Sequence, residues 1–292
     1  ARWPCEEKTV ALEDSAPQHL VQLGDAHGKP AAVDGIGTVE EPKRFYPNRE
    51  LAASLVGFTN LDSEGMEGVE LSMNRYLRGE RGLLLCERDA RGRLIVPATT
   101  PVEVNSKGHS VALTIDRNIQ HVAESELQAA VEKHNARGGM AVVLSPGTGE
   151  ILAMATAPSF NPNAPAGAPV EARKNRSLTD SFEPGSTFKV FTLASALELG
   201  AVSTADRFFC ENGSYRYAGK VIHDTHRYGW LTTPEVVKFS SNIGITKINE
   251  RMDGNRFYDM IRAFGFGSRT GIELQGEVPG LAPSRRAGLA TR

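Results

Sequence analysis

The sequence predicts an α+β fold, and two features of its patterning support this prediction. A mostly apolar run at helical spacing fills residues 188–199 and is followed by Gly200, a residue type that commonly ends helices. Two apolar runs, residues 140–144 and 150–155, flank a Ser-Pro-Gly-Thr-Gly turn, which is typical of an antiparallel hairpin. Strands packed against helices in this way are characteristic of the α+β class.

A second helix is predicted ahead of this hairpin. Asp116 is a suitable N-cap for a helix that runs through about Asn135, because its apolar residues recur on one face. The apolar run at 111–115, just before Asp116, is predicted to be a strand.

Two further helices are predicted near the C-terminal end of the sequence. Thr232 or Thr233 caps the first of them, with Pro234 at its first position. A helical pattern resumes at 243–252, so the residues around Ser240 are expected to lie in a short break between helices.

The segment at 206–226 is predicted to be irregular, with a hairpin near Asn212. Two histidines, His223 and His226, lie beside Asp224 and suggest a metal site or a catalytic triad. No third ligand has a matching spacing, so we interpret these three residues as polar loop residues.

The N-terminal residues, 1–105, carry short apolar runs separated by turns and no recognisable chemistry. The runs at 83–87 and 93–96 are predicted to pair as a hairpin. A short helix is predicted at 70–77, and the apolar run at 51–58 is compatible with either a helix or a strand. Residues 102–108 are predicted to link this module to a second domain.

Composition limits the classes of function. The 292 residues are 40% hydrophobic, enough for real cores, and 33 basic residues balance 35 acidic ones, so nothing suggests nucleic-acid binding. No apolar stretch reaches the roughly 18 residues of a membrane span. The three cysteines, Cys5, Cys86 and Cys210, form neither a metal pattern nor a disulfide framework, and we interpret them as mostly reduced and structural, away from any catalytic partner.

The strongest chemical signal is a Ser-x-x-Lys pair, Ser186 and Lys189, which follows a Pro-Gly turn at the start of the apolar helix. Residues three apart share one face of a helix, so the hydroxyl and the amine are expected to meet. A serine becomes a good nucleophile when a neighbouring base takes its proton. Lysine can be that base once burial lowers its ordinary pKa of about 10.4.

By itself the pair is weak evidence, because about one is expected by chance in a chain of this length. Three aromatic residues, Phe182, Phe188 and Phe191, are predicted to keep water from the lysine. The deciding element is a Ser-x-Asn triplet formed by Ser240 and Asn242. Ser-x-x-Lys followed by this triplet is the order found in penicillin-recognising acyl-serine transferases.

With these motifs the sequence resembles the class B penicillin-binding proteins, close to the septal or cell-division peptidoglycan D,D-transpeptidases. The resemblance covers nearly the whole chain. It is also carried by the segments Arg-Phe-Tyr-Pro at 44–47, Gly-Met-Glu-Gly-Val-Glu at 65–70, residues 116–120, Gly-Thr-Gly-Glu at 147–150, Phe-Asn-Pro-Asn at 160–163, Asn-Arg at 175–176 and Glu-Pro-Gly-Ser-Thr-Phe-Lys at 183–189.

The resemblance implies a transpeptidase domain of the penicillin-binding-protein and serine β-lactamase type at 106–292, an antiparallel sheet with helices. It implies an elongated, mainly β module at 1–105 and a single N-terminal membrane anchor that is absent from this chain. The location would be the periplasmic face of the bacterial cytoplasmic membrane. The implied partners are peptidoglycan stem peptides, β-lactams, a membrane glycosyltransferase and division proteins, with no metal and no cofactor.

The resemblance also implies a role for each motif residue. Ser186 would attack the carbonyl of the penultimate D-Ala of a stem peptide, and its backbone N–H would supply half of the oxyanion hole. Lys189 would take the proton of the serine, Ser240 would relay a proton to the leaving group, and Asn242 would hold the substrate amide.

A third motif of the family, Lys-Thr-Gly, does not occur in the sequence. Arg-Thr-Gly at 269–271 is similar to it, but the family has a separate Gly-x-Gly-x-x-Thr-Gly-Ile segment at this place, so we reject that match. In the family the true third motif comes later, on a strand that lines the cleft. We therefore expect the chain as given to be an incomplete domain that acylates poorly by itself.

Two alternatives remain open at this stage. A class D-like β-lactamase or β-lactam sensor also carries Ser-Thr-Phe-Lys, but Asn242 and the long N-terminal module argue against it. A non-catalytic division scaffold would bind partners through residues 1–105.

Overall fold

The computed structural model describes residues 43–78, 87–88, 94–95 and 108–282. The chain divides into two compact units, Ala1–Thr179 with Glu273–Gly276, and Asp180–Ile272 with Glu277–Arg292. We call them the first unit and the second unit. Residues 102–107 of the linker predicted at 102–108 lie outside the described residues, and the domain boundary between residues 105 and 106 stays a prediction.

The first unit contains ten helices and strands within its described residues. In chain order they are α1 (Ala53–Val56), α2 (Gly68–Ser72), α3 (Asn74–Leu77), β1 (Glu87–Arg88), β2 (Leu94–Ile95), α4 (Arg117–Lys133), β3 (Gly139–Leu144), β4 (Ile151–Ala157), α5 (Val170–Arg173) and α6 (Arg176–Thr179).

Three N-terminal predictions can be compared with these elements. The run at 51–58, for which helix and strand remained open, contains α1. The helix predicted at 70–77 is two short helices, α2 and α3, that meet at Met73. β1 and β2 pair antiparallel, as predicted for the hairpin, whose other residues lie outside the described ones.

A buried ion pair anchors α2 to the segment before α1. Arg44 Nε lies 2.9 Å from Glu70 Oε1, and the Glu70 side chain is 1% exposed. Tyr46 donates its hydroxyl to the same carboxylate at 3.2 Å, and its pKa is raised, first by burial and then by the charge of Glu70. These partners compensate for the cost of burying the Glu70 charge.

The predicted hairpin and amphipathic helix pack together in the first unit. β3 and β4 pair antiparallel, and α4 packs against both strands. Asp116 caps α4 as predicted, since its Oδ1 accepts from the N–H groups of Asn118 at 2.8 Å and Ile119 at 3.0 Å. The approach is close enough that a Cβ at Gly139 would lie 2.8 Å from Leu127 Cδ1.

The strand predicted at 111–115 does not form, because side chains cover the second edge of β4 instead. The buried Gln120 accepts from Met154 N at 2.8 Å and donates to Met154 O at 3.0 Å, as a neighbouring strand would. Thr114 Oγ1 donates to Ile151 O at 2.6 Å, and the Asp116 N–H donates to Leu152 O at 2.9 Å. The carbonyls of Ile151 and Leu152 and both backbone groups of Met154 are therefore hydrogen-bonded without another strand.

The second unit contains eight helices and strands within its described residues. In chain order they are α7 (Phe188–Glu198), β5 (Arg207–Phe209), β6 (Ser214–Tyr217), β7 (Lys220–His223), β8 (Trp230–Thr232), α8 (Thr233–Lys238), α9 (Asn242–Glu250) and α10 (Gly254–Ala263). Two 3₁₀ turns accompany them, Gly185–Thr187 and Glu211–Gly213.

The strands of the second unit form two antiparallel pairs, β5 with β8 and β6 with β7. The hairpin turn lies at Ala218 and Gly219, not near Asn212 as predicted. Both turn residues have positive φ, 46° and 79°, as the favoured two-residue hairpin turns require. Helices and antiparallel strands occur in both units, and the predicted α+β class is confirmed.

The core of the second unit lies between α7, α8, α9 and the β5–β8 pair. Its buried side chains are Ala196, Val202, Phe208, Cys210, Leu231, Val236, Ile243 and Ile248. Because α7, α8 and α9 share this core, their N-terminal and C-terminal ends are held at fixed positions relative to one another. Both sequence motifs lie at these ends.

Candidate active site

Ser186 lies in the 3₁₀ turn that directly precedes α7. Gly185 makes this turn with a φ of 59°, which glycine adopts at no steric cost. Thr187 Oγ1 donates to Pro184 O at 2.7 Å and closes the turn. The Ser186 side chain is exposed, and its hydroxyl has no hydrogen-bond partner among the described residues. The hydroxyl is therefore accessible to a bound molecule.

Lys189 lies in the first turn of α7, and only 8% of its surface is exposed. Its Nζ donates to Ser240 O at 2.6 Å, to Ser240 Oγ at 2.9 Å and to Asn242 Oδ1 at 2.7 Å. These three bonds use all three hydrogens of an ammonium group. The i,i+3 spacing predicted a meeting with Ser186, whereas the hydrogen bonds of Nζ go to the Ser-x-Asn triplet.

Burial lowers the pKa of Lys189, and the negative charge of Asp224 opposes this effect in part. Desolvation disfavours the charged form of an amine, whereas a nearby carboxylate favours it. The environment thus moves the amine toward the neutral form that a proton acceptor needs.

The Ser-x-Asn triplet joins α8 to α9. Thr232, one of the two predicted caps, precedes α8, and Glu235 Oε2 accepts from its N–H at 2.8 Å and from its Oγ1 at 2.7 Å. Ser240 follows α8 with a φ of 53°, the left-handed region that non-glycine residues rarely adopt. Both Ser240 and Asn242 were predicted in a break, but Asn242 is the first residue of α9.

The Asn242 side chain is held at both of its polar ends. Its Oδ1 accepts from Lys189, and its Nδ2 donates to the backbone oxygen of His223 at 2.9 Å. An amide nitrogen has two hydrogens, so one remains for a further acceptor.

Asp224 is the site residue that the sequence analysis missed. Its Oδ2 accepts from Ser241 Oγ at 2.6 Å, and its Oδ1 accepts from the N–H groups of Asn242 at 2.5 Å and Ile243 at 3.1 Å. Asp224 lies in the loop after β7, as interpreted, but its carboxylate also caps α9, a contact that the interpretation did not include. Aspartate is a preferred capping residue, but a cap 18 positions before Asn242 cannot be found from local spacing.

Cys210 contacts Ser241, the middle residue of the triplet, which is not among the candidate catalytic residues. Its free, buried thiol lies 3.4 Å from Ser241 Oγ. Burial raises the pKa of this thiol, so it stays neutral and unreactive. The structural interpretation of Cys210 agrees with its burial, while Cys5 and Cys86 lie outside the described residues.

Aromatic side chains cover α7, but they are only partly the predicted ones. Phe182 is 73% exposed and shields nothing. Phe188 packs edge-on against Phe266, and Phe191 packs edge-on against both Phe264 and Phe266. These last two residues come from the segment after α10, which the sequence analysis considered only as a false third motif.

Neither the histidines nor the rejected third motif takes part in the hydrogen bonds of Lys189. His223 contributes its backbone oxygen to the site. Within the described residues no group of three or more His, Cys, Asp or Glu side chains is placed to hold a metal ion.

In the Arg-Thr-Gly segment, Thr270 donates its N–H to Glu277 Oε1 at 2.7 Å. The rejection of this segment as the third motif stays a prediction.

Two protein-family models match parts of the chain. A penicillin binding protein transpeptidase domain matches residues 139–291, and a penicillin-binding protein dimerisation domain matches residues 25–113.

Two curated relatives cover most of the chain. The peptidoglycan D,D-transpeptidase FtsI of Escherichia coli is 40% identical over 258 residues, which are 88% of this chain and 43% of the relative. The probable peptidoglycan D,D-transpeptidase PenA of Neisseria meningitidis is 38% identical over 243 residues, or 83% of this chain and 42% of the relative. The chain thus spans less than half the length of these relatives.

Solved structures share the fold. Penicillin binding protein 3 of Mycobacterium tuberculosis, also solved with aztreonam and with ampicillin, aligns with a TM-score of 0.66 and 32% identity over 82% of this chain and 50% of its own. A peptidoglycan synthetase of Bifidobacterium adolescentis aligns with a TM-score of 0.70 and 28% identity over 85% of this chain and 45% of its own. Within the described residues of this chain, no helix has both the length and the apolar character needed to cross a membrane.

Proposed function

The chain belongs to the penicillin-binding protein transpeptidase family, in its class B branch, and we propose that it carries the acyl-transfer site of a peptidoglycan cross-linking D,D-transpeptidase. The substrate is a stem peptide that ends in D-Ala-D-Ala, and β-lactams acylate the same serine. One observation carries this proposal. The buried Lys189 Nζ hydrogen-bonds the side chains of Ser240 and Asn242, while the side chain of Ser186 is exposed in the 3₁₀ turn directly before α7.

The hydrogen bonds of Lys189 allow it to act as a base. When its amine is neutral, two hydrogens remain, and the Ser240 carbonyl and Asn242 Oδ1 can accept them because neither can donate. The amine lone pair is then available to a hydroxyl proton, from Ser240 or from Ser186. The same acceptors that bind the ammonium therefore orient the neutral amine.

Acylation follows from this arrangement. Ser186 Oγ forms a bond to the carbonyl carbon of the penultimate D-Ala, and its proton passes to Lys189 Nζ. The Ser240 hydroxyl, 2.9 Å from Nζ, passes its proton to the nitrogen of the departing D-Ala as the C–N bond breaks, and takes the proton from Lys189 Nζ in return, so the amine is neutral again in the acyl-enzyme. The second hydrogen of Asn242 Nδ2 binds a carbonyl of the substrate. The backbone N–H of Ser186 donates to the developing oxyanion.

Deacylation completes the transfer. The amine of a neighbouring stem peptide attacks the acyl-serine carbonyl, the new amide forms, and the ester bond to Ser186 Oγ breaks. The proton lost by the amine returns to the serine through Ser240 and Lys189. No redox partner or metal is needed for the balance of these steps.

The setting of this reaction also belongs to the proposal. The protein acts at the periplasmic face of the bacterial cytoplasmic membrane, held by an N-terminal anchor. A membrane glycosyltransferase and division proteins are its partners. The family membership and the dimerisation-domain match at 25–113 support this setting.

A labelling experiment with the full-length protein tests the proposal. Fluorescent penicillin should form a lasting adduct, mass spectrometry should place it on Ser186, and Ser186→Ala should abolish it while the Tm is kept. A label that is rapidly lost in a chase with unlabelled penicillin would indicate a β-lactamase. An adduct on Ser240, or none on a folded protein, would contradict the proposal, and the latter would favour a non-catalytic scaffold.

A further inference from the structure

We propose that Asp224 is a positioning residue of the acyl-transfer site, whose carboxylate fixes the first turn of α9 and thereby the groups that hold Lys189. This proposal rests on the function proposed above for that site. Both oxygens of Asp224 are used, because they accept from Ser241 Oγ and from the N–H groups of Asn242 and Ile243. A charged acceptor forms shorter and stronger hydrogen bonds than a neutral one.

The end of β7 holds Asn242 at two points. Asp224 binds its backbone N–H, and the carbonyl of the preceding residue, His223, binds its side-chain Nδ2. With the backbone and one end of the amide fixed, the other end, Oδ1, points to Lys189 Nζ. The direction of this oxygen is therefore set by two adjacent residues of a different element.

The same contact supports the unusual backbone of Ser240. A left-handed non-glycine residue is retained where the surrounding structure fixes the residues on both sides of it. The end of α8 binds both sides, because the Ser240 N–H donates to Val237 O at 3.0 Å and the Ser241 N–H donates to Val236 O at 2.9 Å. Asp224 adds hydrogen bonds to Ser241 Oγ and to the first N–H groups of α9. This backbone directs both the carbonyl and the hydroxyl of Ser240 to Lys189, so releasing the first turn of α9 should turn both away.

The cap of α9 differs from the other aspartate caps in the chain. Asp116 and Asp253 each cap the helix that starts directly after them. In α9 the ordinary N-cap is Ser241, whose Oγ accepts from Gly244 N at 2.8 Å. Asp224 adds a second cap from the loop that follows β7. The added contact thus ties the site to β7, which an ordinary cap would not do.

Three substitutions of Asp224 separate position from charge. Asp224→Asn keeps an oxygen for the two backbone N–H groups but loses the charge, and its amide can donate to Ser241 Oγ. Asp224→Glu keeps the charge but displaces the oxygens by one methylene. Asp224→Ala loses both. We expect the acylation rate constant of Asp224→Ala to fall by up to about 100-fold, as for other losses of positioning. The rate constant of Asp224→Asn should be higher than that of Asp224→Glu, because asparagine keeps an oxygen in place.

Asp253→Ala is the matched control. Asp253 accepts from the N–H groups of Asn255 and Arg256, so this change also removes a cap of two N–H groups from the second unit. We expect a comparable loss of Tm and an unchanged acylation rate constant. If acylation falls equally in this control, then the loss of any helix cap in the second unit slows acylation. The effect of Asp224 would be explained by helix stability, and the proposal would be overturned.

The other outcomes are equally decisive. If Asp224→Ala does not fold, the asparagine and glutamate variants carry the test, since a higher rate for glutamate would mean that charge matters and position does not. A wild-type rate in all Asp224 variants, with Ser186→Ala inactive, would overturn this inference alone. Labelling of Ser186→Ala would instead overturn the proposed function.

Discussion

At the scale of single residues, the proposed chemistry depends on the protonation state of one buried amine, Lys189. Lys189 has three acceptors around it and 8% exposure, a setting that would also suit a permanent cation. What favours the base is the direction of its pKa, which burial lowers despite Asp224. If Lys189 is a base, acylation requires an amine that can lose its proton. If it is a fixed charge, any permanent cation at this position should support acylation.

Lys189→Arg distinguishes these roles. Arginine keeps the positive charge and the donors but does not lose its proton in proteins, so it cannot accept one from Ser186. We expect acylation by fluorescent penicillin to fall by roughly 10²–10⁴-fold, nearly as far as in Lys189→Ala. Substantial acylation by the arginine variant would show that Lys189 acts only through its charge.

The pH profile provides a second test of the base. Acylation should rise with pH through the pKa of Lys189, because only the neutral amine accepts a proton. Asp224→Asn removes a charge that raises this pKa, so the rise should move to lower pH. The elements packed against α7 also carry the charged side chains Glu235, Lys238, Lys247, Glu250, Arg256, Asp259 and Arg262.

The measurement is the acylation rate constant as a function of pH for the wild type and for Asp224→Asn. Asp253→Asn is the control, because it neutralises a carboxylate of the same unit that is not among the causes of the pKa shift of Lys189. Its profile should match that of the wild type. An unmoved profile in the Asp224 variant, or a shift to higher pH, would show that the rise reports another group.

At the scale of elements, the junction of α8 and α9 presents the triplet. The two helices are in closest contact at Gly244 of α9, where an added Cβ would lie 2.6 Å from one methyl carbon of Val236 in α8 and 2.8 Å from the other. Ser241 Oγ would be 3.1 Å away. The two helices can therefore approach this closely only because residue 244 has no side chain.

Gly244→Ala should disturb both stability and function. The added methyl has to push α8 from α9, which for such overpacking costs about 1–3 kcal/mol of unfolding free energy. Because Ser240 lies between these helices, the acylation rate constant should fall as well. Gly147→Ala, where the new Cβ meets nothing within 4 Å, is the control and should change neither quantity. Wild-type acylation by a destabilised Gly244→Ala would show that the spacing of α8 and α9 does not set the site.

At the scale of the whole molecule, every candidate catalytic residue lies in the second unit. Ser186, Lys189, Ser240 and Asn242 all belong to Asp180–Ile272. The first unit has its own layer of α4 on β3 and β4, stabilised by the buried Gln120. Damage to this layer is therefore expected to affect stability and leave the chemistry of the folded protein unchanged.

Gln120→Ala tests this separation. It leaves Met154 N and O without their buried partner, which costs about 1–3 kcal/mol of unfolding free energy. The acylation rate constant per folded molecule should be unchanged. Gln128→Ala removes an exposed glutamine of the same helix and should change stability by less than about 0.5 kcal/mol. Slower acylation by folded Gln120→Ala would mean that the first unit acts on the site.

The sequence alone predicted features that depend on neighbouring residues. The Asp116 cap, the helix that starts after Ser186 and the antiparallel hairpin each depend on a few consecutive residue types, and each is present. The order of Ser-x-x-Lys and Ser-x-Asn, taken with the other family segments, indicated the family, because the whole set is far more specific than either motif by itself. The roles of Ser186, Lys189, Ser240 and Asn242 remain predictions.

The tertiary structure alone decided the features that join distant residues. Lys189 bonds to residues 51 and 53 positions away, and Asp224 caps a helix 18 positions further along. Gln120 replaces a predicted strand on β4, and Phe264 and Phe266 cover α7 where Phe182 was expected. In each case several partners of similar chemistry were available in the sequence. Which of them came within hydrogen-bonding or packing distance was set by how the helices and strands pack, and local residue patterns do not contain that information.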